Sequence, residues 1–119
     1  MSADILETSA GVITIRITGL LKQAELAVAQ QAAGRIMRTQ GKVRILVLIE
    51  DFLGLEKSGD WGDLSFQMEF DSFIEKIAIV GEERWQDVTF LFTGKGIRKV
   101  PIEYFQPTDL PKAKAWLAA

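Results

Sequence analysis

The chain has 119 residues, of which 48% are hydrophobic and 25% are charged. This length and composition predict one globular domain over residues 1–119, which needs no disulfide or metal to hold it together. The sequence contains no cysteine and no histidine. Their absence excludes disulfides, thiolate zinc sites and the nucleophilic mechanisms that need an imidazole base. We therefore expect a protein that is not an enzyme and that has no metal and no cofactor.

The charge and hydropathy patterns bear on location and partners. The net charge of −2 gives no basic field that would attract nucleic acid. The segment Met1–Asp4 has neither the basic nor the apolar region of a signal peptide, and the apolar run Ile45–Ile49 is far too short to span a membrane. We expect a cytoplasmic protein that binds no nucleic acid and does not cross a membrane.

In chain order, the pattern begins with two strands. Ile5–Thr8 and Val12–Thr18 flank a short turn at Ser9–Gly11, which predicts an antiparallel hairpin. Isoleucines alternate with polar residues in Val12–Thr18, which indicates a strand covered on one face and largely solvated on the other. Lys22–Gln40 has apolar residues at spacings of three and four, which predicts a helix, and Gly41 is placed to form a left-handed cap.

The rest of the chain alternates helices and strands. Val43–Ile49 is apolar on both faces, as is typical of a central, mainly parallel strand. The remaining predicted elements are a loop at Phe52–Gly59, a helix at Asp60–Glu75, a strand at Ile77–Val80, a helix at Glu82–Phe92, a strand at Ile102–Phe105 and a last helix that begins at Thr108 and Asp109. The predicted fold class is α/β: a mixed, mainly parallel five-stranded sheet with four helices, in the order β-β-α-β-α-β-α-β-α. We expect Ile5–Thr8 at a sheet edge, with Val43–Ile49 and Ile77–Val80 in the interior.

This element order and particular stretches of sequence resemble the SpoIIAA-like proteins of the STAS/CRAL–TRIO grouping. The matching stretches are Lys76–Trp85, Ile102–Phe105 and Ala113–Leu117. The resemblance covers essentially the whole chain and implies the STAS fold, which is that of bacterial anti-sigma-factor antagonists and sulfate-transporter tails. It says less about function, because the matching segments look structural rather than catalytic.

The resemblance also suggests one candidate regulatory residue. In the antagonists, the loop after the third strand carries an Asp-Ser-Ser-Gly motif whose serine is phosphorylated. The comparable stretch here is Glu56–Gly59, in which only Ser58 and Gly59 match and Lys57 replaces a small residue. Ser58 is therefore a candidate phospho-switch, since backbone N–H groups at a helix N-terminus would hold its phosphate. We favour the simpler interpretation that this pair is loop sequence before the helix N-cap.

The predicted helix Asp60–Glu75 carries two apolar stripes where a surface helix needs one. One face carries Trp61, Leu64 and Met68. The roughly opposite face carries Phe66, Phe70, Phe73 and Ile74. One stripe would pack on the sheet and the other would contact a neighbouring helix, a second subunit or an apolar ligand; alternatively, the helix is buried between its neighbours or bends partway. The candidate residues for an apolar ligand or interface are Trp61, Leu64, Phe66, Met68 and Phe70.

Three basic residues lie beside glycines between the third predicted helix and the last strand. Lys95, Arg98 and Lys99 are a candidate contact for an anionic headgroup or a phosphate. The stretch Gly94–Gly96 lacks the glycine spacing and the following serine or threonine of a phosphate-binding loop. A solvated basic loop is the interpretation we favour.

The sequence favours a STAS-like module without enzymatic activity that acts by binding a protein partner or a second copy of itself. A homodimer would bury one stripe of the helix Asp60–Glu75. The alternative, implied by the resemblance to CRAL–TRIO lipid-transfer domains, is a carrier or sensor of a small apolar or lipid-like ligand held between sheet and helices. The first function predicts a continuous surface near Ser58 and no cavity, whereas the second predicts an enclosed apolar volume of roughly a few hundred Å³.

Overall fold

The structure, a computed structural model, describes residues 1–57, 61, 65–95 and 98–119. The strands in this part of the chain are β1 Ala3–Ser9, β2 Val12–Leu21, β3 Val43–Leu55, β4 Ile74–Val80 and β5 Ile102–Phe105. The α-helices are α1 Gln23–Gln40, α2 Ser65–Phe70, α3 Gln86–Thr93 and α4 Leu110–Ala118. Single 3₁₀ turns occur at Asp71–Phe73, Glu83–Trp85 and Pro107–Asp109. The predicted α/β class and element order are confirmed.

The strands form one mixed sheet in the order β1-β2-β3-β4-β5. β1 is antiparallel to β2 at one edge, and each following pair of neighbours is parallel. This arrangement confirms the predicted hairpin and the interior positions of the two strands that are apolar on both faces. Each parallel connection advances across the sheet by one strand in the same direction. Because such crossovers are right-handed, α1, α2 and α3 all lie on one face, and α4 covers the other.

The sheet therefore separates two apolar layers of different size. The larger layer packs α1, α2 and α3 against inward side chains from every strand. Its most deeply buried members include Ile13, Ile17, Met37 and Ile79. The smaller layer lies under α4 and consists mainly of Leu46, Ala78, Val80, Ala113 and Leu117. Apolar residues spaced three and four apart in α1, α3 and α4 face these layers, as their sequence patterns predict.

The C-terminal end of α4 is fixed by two cations that reach across from the sheet. Lys76 Nζ donates a hydrogen bond to the carbonyl oxygen of Trp116 at 2.9 Å and lies 4.9 Å from the centre of its ring. The guanidinium of Arg44 donates to the carbonyl oxygen of Leu117. Positive charge at this end of a helix complements both the unpaired carbonyls and the macrodipole. The smaller layer is therefore closed by polar contacts as well as by apolar packing.

The third strand is longer than the sequence predicts. A strand was expected over Val43–Ile49 with a loop from Phe52 onward, whereas β3 continues to Leu55. Asp51 has a positive φ of 48° and marks a bulge in the pairing with β2, beyond which Gly19 pairs with Phe52. The bulge shifts the alternation of buried and exposed side chains, and for this reason a strict alternating pattern does not predict the extension.

The predicted helix Asp60–Glu75 is wrong at its C-terminal end. α2 covers only Ser65–Phe70, a 3₁₀ turn follows, and Ile74 begins β4. Ile74 is buried and pairs with Val43 of β3. Strand pairing at the buried centre of the sheet therefore outweighs the helical spacing of the apolar residues. The predicted first residue of this helix, Asp60, lies outside the described residues.

Two smaller expectations also need correction. The outer face of β2 was expected to be largely solvated, yet Thr14 is only 7% exposed, because it lies in a notch between Leu6, Leu46 and α4. Gly41 ends α1 and donates its N–H to the carbonyl oxygen of Met37 at 2.7 Å. Its φ of 85° is positive as predicted, but its ψ of −139° differs from that of a left-handed helical cap.

Candidate ligand-binding site

A groove of about 530 Å³ runs between α1 and the segment formed by Trp61 and α2. Its apolar wall includes Trp61, Phe66, Phe70 and Phe92. Its polar rim comes mainly from α1, where Gln30, Gln31, Arg35 and Arg38 follow one another along the helix. The volume is in the range of small-molecule sites. The groove is open and half polar, however, whereas the carrier hypothesis predicts an enclosed apolar volume. The mixed lining suits a molecule with an apolar and a polar part.

A second, smaller cavity of about 70 Å³ lies against the sheet. Its floor is formed by isoleucine and valine side chains of three strands, namely Ile15, Ile17, Ile45, Val47 and Ile77. The groove and the cavity share the lining residues Leu26, Gln30, Phe66, Gln67 and Phe92. The two spaces are therefore neighbours on opposite sides of these shared residues.

Local sequence explains how α2 is held beside α1. Gly34 has no side chain, and a Cβ atom at this position would lie 2.6 Å from the ring of Phe70. The glycine therefore lets the Phe70 ring pack directly on the α1 backbone. The ring of Phe66 lies 4.9 Å from that of Phe70, and Trp61 is fixed by a 3.0 Å hydrogen bond from its indole N–H to the carbonyl oxygen of Glu56. These contacts set the width of the groove.

Gln67 lies where the groove meets the inner cavity. The residue is 5% exposed, and its side-chain Oε1 has no hydrogen-bond partner among the described residues. Most buried polar atoms in proteins are paired, because an unpaired one loses its hydration without compensation. The amide oxygen of Gln67 is therefore enclosed by protein atoms and unpaired among the described residues.

The rim of the groove carries net positive charge. Arg38 forms an ion pair with Glu69 and lies 5.0 Å from the centre of the Phe70 ring. Arg35 is exposed, and none of the ion pairs found in the described part of the chain involves it. Since Arg38 is neutralised and Arg35 is not, the rim favours an anionic over a cationic group.

The carboxyl ends of the parallel strands, where open α/β sheets usually bind ligands, are filled by aromatic side chains. Phe52 packs edge-on against Trp85, with ring centres 4.9 Å apart. The hydroxyl of Tyr104 donates to the carbonyl oxygen of Glu82 at 2.7 Å. Burial raises the pKa of Tyr104, so the hydroxyl stays protonated as this bond requires. A Cβ atom on Gly81 would lie only 2.6 Å from the Tyr104 oxygen, which shows how closely the groups pack.

The structure brings together only some of the apolar residues proposed from the sequence. Trp61, Phe66 and Phe70 line the groove. Met68 does not line it and is 86% exposed, because it lies on the outer side of the short helix α2. Leu64 lies outside the described residues, and so does the candidate phospho-switch, Ser58.

The three basic residues proposed as an anion contact do not act as one group. Arg98 is inside the protein, where its guanidinium pairs with Asp71 and also donates to the carbonyl oxygen of Thr93 at 2.9 Å. Lys95 donates to the carbonyl oxygen of Ile102. Lys99 is exposed. Arg98 and Lys95 therefore have structural partners. Of the three proposed residues, Lys99 is the one for which no such contact is found in the described part of the chain.

Two features of the site were not identified from the sequence. Arg35 and its glutamine neighbours lie on α1, whereas the predicted site was placed on the next helix alone. Gln67 falls three residues before Phe70, on the buried side of α2. A polar residue at a position that helical spacing assigns to the core is the signal that would have identified it.

Comparisons with known proteins agree with this fold. The SpoIIAA-like family model matches residues 12–118. The chain belongs to the SpoIIAA-like family. A solved structure that is similar to it is an uncharacterised protein of the DUF3478 family from Shewanella loihica PV-4, whose crystal structure has a SpoIIAA-like fold. The TM-score is 0.71 at 16% identity, over 97% of this chain and 91% of that one. At this identity the likeness concerns the fold of the two SpoIIAA-like chains.

A search among curated proteins finds no significant match. In the part of the SpoIIAA-like chain that the structure describes, no helix is long and apolar enough to cross a membrane, and no three acidic side chains come together as a metal site.

Proposed function

We propose that this protein binds a small amphipathic molecule in the groove between α1 and α2 and acts as its carrier or sensor. The observation that carries the proposal is a half-polar surface groove of about 530 Å³ lined by aromatic rings, with an apolar cavity next to it on the sheet. A folded domain has no structural need to keep such a groove open, because filling it with side chains would add packing energy. A ligand that occupies the groove would supply the missing contacts.

The lining indicates the polarity of this ligand. The inner cavity is lined mainly by isoleucine, valine and phenylalanine side chains, which favour an alkyl group. Its lining also includes Thr93 and Arg98, whose charge is paired with Asp71. Farther out, the flat rings of Trp61, Phe66 and Phe70 provide apolar surface, and the glutamines and arginines of α1 provide hydrogen-bond donors at the rim. We therefore expect the ligand to place its apolar end inward and its polar end outward.

The test is isothermal titration calorimetry of the full chain with decanoate, an alkyl carboxylate. The chain offers a matched pair of variants, because Ala27 lines the groove, whereas Ala24 on the same helix is exposed and does not line it. We expect Ala27→Phe to fill the groove and lower the affinity for decanoate at least about tenfold. We expect Ala24→Phe to bind like the wild type. Equal affinity in both variants, or no binding of decanoate to the wild type, would refute the proposal.

Binding of a protein partner, in particular a second copy of this chain, is the second candidate function. It is supported by the large apolar side chains that remain exposed, of which Leu53 and Met68 are 72% and 86% exposed. Native mass spectrometry of the purified protein separates the two functions, since it reports both the number of subunits and any retained small molecule. A dimer that dissociates in Met68→Lys, without a retained ligand, would favour the second candidate.

A further inference from the structure

The groove and the inner cavity are separated by a small set of side chains. Five residues line both spaces, namely Leu26, Gln30, Phe66, Gln67 and Phe92. A ligand in the groove therefore reaches the isoleucines on the sheet only if one of these side chains moves. Among the five, Gln67 alone carries a buried polar atom that has no hydrogen-bond partner in the described part of the chain.

The aromatic members of this partition are held by other rings. The ring of Phe66 lies 4.9 Å from that of Phe70. The ring of Phe92 lies 6.4 Å from that of Phe52 and 6.5 Å from that of Trp61. Movement of either phenylalanine would break these ring contacts, whereas movement of the Gln67 side chain breaks no hydrogen bond of its amide oxygen.

The enclosed oxygen makes the closed position of Gln67 costly. The residue is 5% exposed, and an unpaired buried amide loses its hydration without compensation. Rotation of the side chain into the groove, towards the polar rim formed by Gln30, Gln31 and Arg35, would return the amide to water. In the absence of a ligand this rotation leaves an enlarged, empty apolar cavity, and the loss of packing opposes it.

We propose that Gln67 is a gate between the groove and the inner cavity, and that a ligand opens it when its alkyl end is long enough to enter the cavity. This inference rests on the proposed function, because it assumes that the groove binds an amphiphile, and it adds the residue that sets the preferred chain length. Opening hydrates the amide of Gln67, and the alkyl end replaces the packing of its side chain. Shorter chains occupy the groove alone and leave the gate closed.

The experiment measures the affinity of the wild-type chain for straight-chain carboxylates from hexanoate to dodecanoate by calorimetry. A methylene that becomes fully buried among apolar groups adds about fourfold to the affinity, and one that stays in the half-polar groove adds less. We therefore expect a slow rise with chain length and then a step of about tenfold over two methylenes, at the length that opens the gate. Methyl NMR should show shifts at Ile15, Ile45 and Ile77 on the cavity floor with decanoate but not with hexanoate.

Two substitutions of Gln67 have opposite expected effects. Gln67→Met keeps the length of the side chain but has no amide, so the closed gate loses its cost, and we expect the step to fall to about threefold or less. Gln67→Ala removes the gate, and we expect the cavity floor to shift with decanoate as in the wild type. Gln31→Met is the same chemical change as Gln67→Met at an exposed position on the rim, and it should keep the tenfold step. Circular dichroism confirms that each variant is folded.

The outcomes separate this inference from the proposed function. If the affinity of the wild type rises evenly with chain length, or if the step is unchanged in Gln67→Met, the gate is overturned while amphiphile binding stands. Shifts at the cavity floor that are as large with hexanoate as with decanoate would also overturn it, because the cavity would then be open to every chain. If no carboxylate of the series binds, the proposed function itself fails. The wild-type series decides the question even if a Gln67 variant does not fold.

Discussion

The two faces of the sheet are covered in different ways. On one face, the single helix α4 packs Ala113 and Leu117 on the strands, and Arg44 and Lys76 bind its last carbonyl groups. On the other face, three helices leave a groove, an inner cavity and the unpaired oxygen of Gln67. The α4 face has the features of a surface that serves stability. The opposite face keeps space that its own side chains do not fill.

Helix length accounts for much of this difference. At about 1.5 Å per residue, the 18 residues of α1 extend about 27 Å and the 6 residues of α2 only about 9 Å. α2 can therefore pack along only part of α1, and it does so at the close contact between Gly34 and Phe70. The groove lies beside this contact. Variants on the two faces should therefore differ in how they affect stability and binding.

The largest effect is expected on the α4 face. Leu117 is 2% exposed, and Leu117→Ala should lower the free energy of unfolding by about 3 kcal/mol, because it leaves a cavity in a small apolar layer. The affinity for decanoate should not change, since the sheet separates this layer from the groove. Urea denaturation and calorimetry are the two measurements. A large loss of decanoate affinity in folded Leu117→Ala would show that the two faces are not independent.

An intermediate effect is expected at the contact between α1 and α2. Gly34→Ala forces the Phe70 ring away from α1, and overpacking of this kind costs about 2 kcal/mol, partly offset by about 1 kcal/mol of improved helix propensity. We expect a net loss of about 1 kcal/mol in urea denaturation, with a changed affinity for decanoate. In a Phe70→Leu background the same substitution should no longer destabilise. Equal destabilisation in both backgrounds would show that the ring is not the cause.

A smaller effect is expected where Lys76 binds the end of α4. Lys76→Met keeps most of the apolar stem but removes the hydrogen bond to the carbonyl oxygen of Trp116, and we expect a loss of about 1 kcal/mol in thermal denaturation. Lys42→Met is a matched control at an exposed lysine, which forms no hydrogen bond or ion pair with α4 among the described residues. If the two variants unfold at the same temperature, the contact of Lys76 with α4 contributes no stability.

The smallest effect is a pH dependence at the start of α1. Glu25 accepts hydrogen bonds from the hydroxyl and the backbone N–H of Ser2, at 2.7 and 2.8 Å, and the hydroxyl bond is the main reason that the pKa of Glu25 is lowered. Because the folded pKa lies below the unfolded one, this contact stabilises the protein fully above the usual glutamate pKa of about 4.3 and is lost as the pH falls through the folded value. Thermal melts of wild type and Glu25→Gln should therefore differ at neutral pH and converge in acid. A constant difference would contradict this assignment.

The interior strands could be predicted from the sequence because each is a continuous run of apolar residues. Val43–Ile49 is apolar on both faces, and only an interior strand between two helical layers satisfies that pattern. The end of α2 was predicted wrongly because Ile74 fits a helical stripe as well as a strand, and only the pairing with Val43 decides between them. The extension of β3 depends on the bulge at Asp51. A bulge interrupts the alternation of apolar and polar residues from which strands are predicted, so the extension could not be predicted from the sequence.

The candidate site was predicted less completely than the fold. Aromatic residues such as Trp61, Phe66 and Phe70 were identified because apolar stripes are visible in sequence. The contribution of α1 was not, because the placement of Arg35 opposite these rings depends on how two helices pack. Gln67 was overlooked for a similar reason, since a glutamine between two phenylalanines is ordinary until its oxygen is found buried and unpaired.

Methyl NMR of the isoleucine- and leucine-labelled protein during a titration with decanoate shows on which face of the sheet the ligand binds. If the helix-rich face binds the ligand, the methyl signals of Ile15, Ile17, Ile45 and Ile77 on the cavity floor should shift in a saturable way. The signals of Leu46 and Leu117 under α4 should stay in place. Shifts confined to Leu46 and Leu117, or no saturable shift at the cavity floor, would contradict the account.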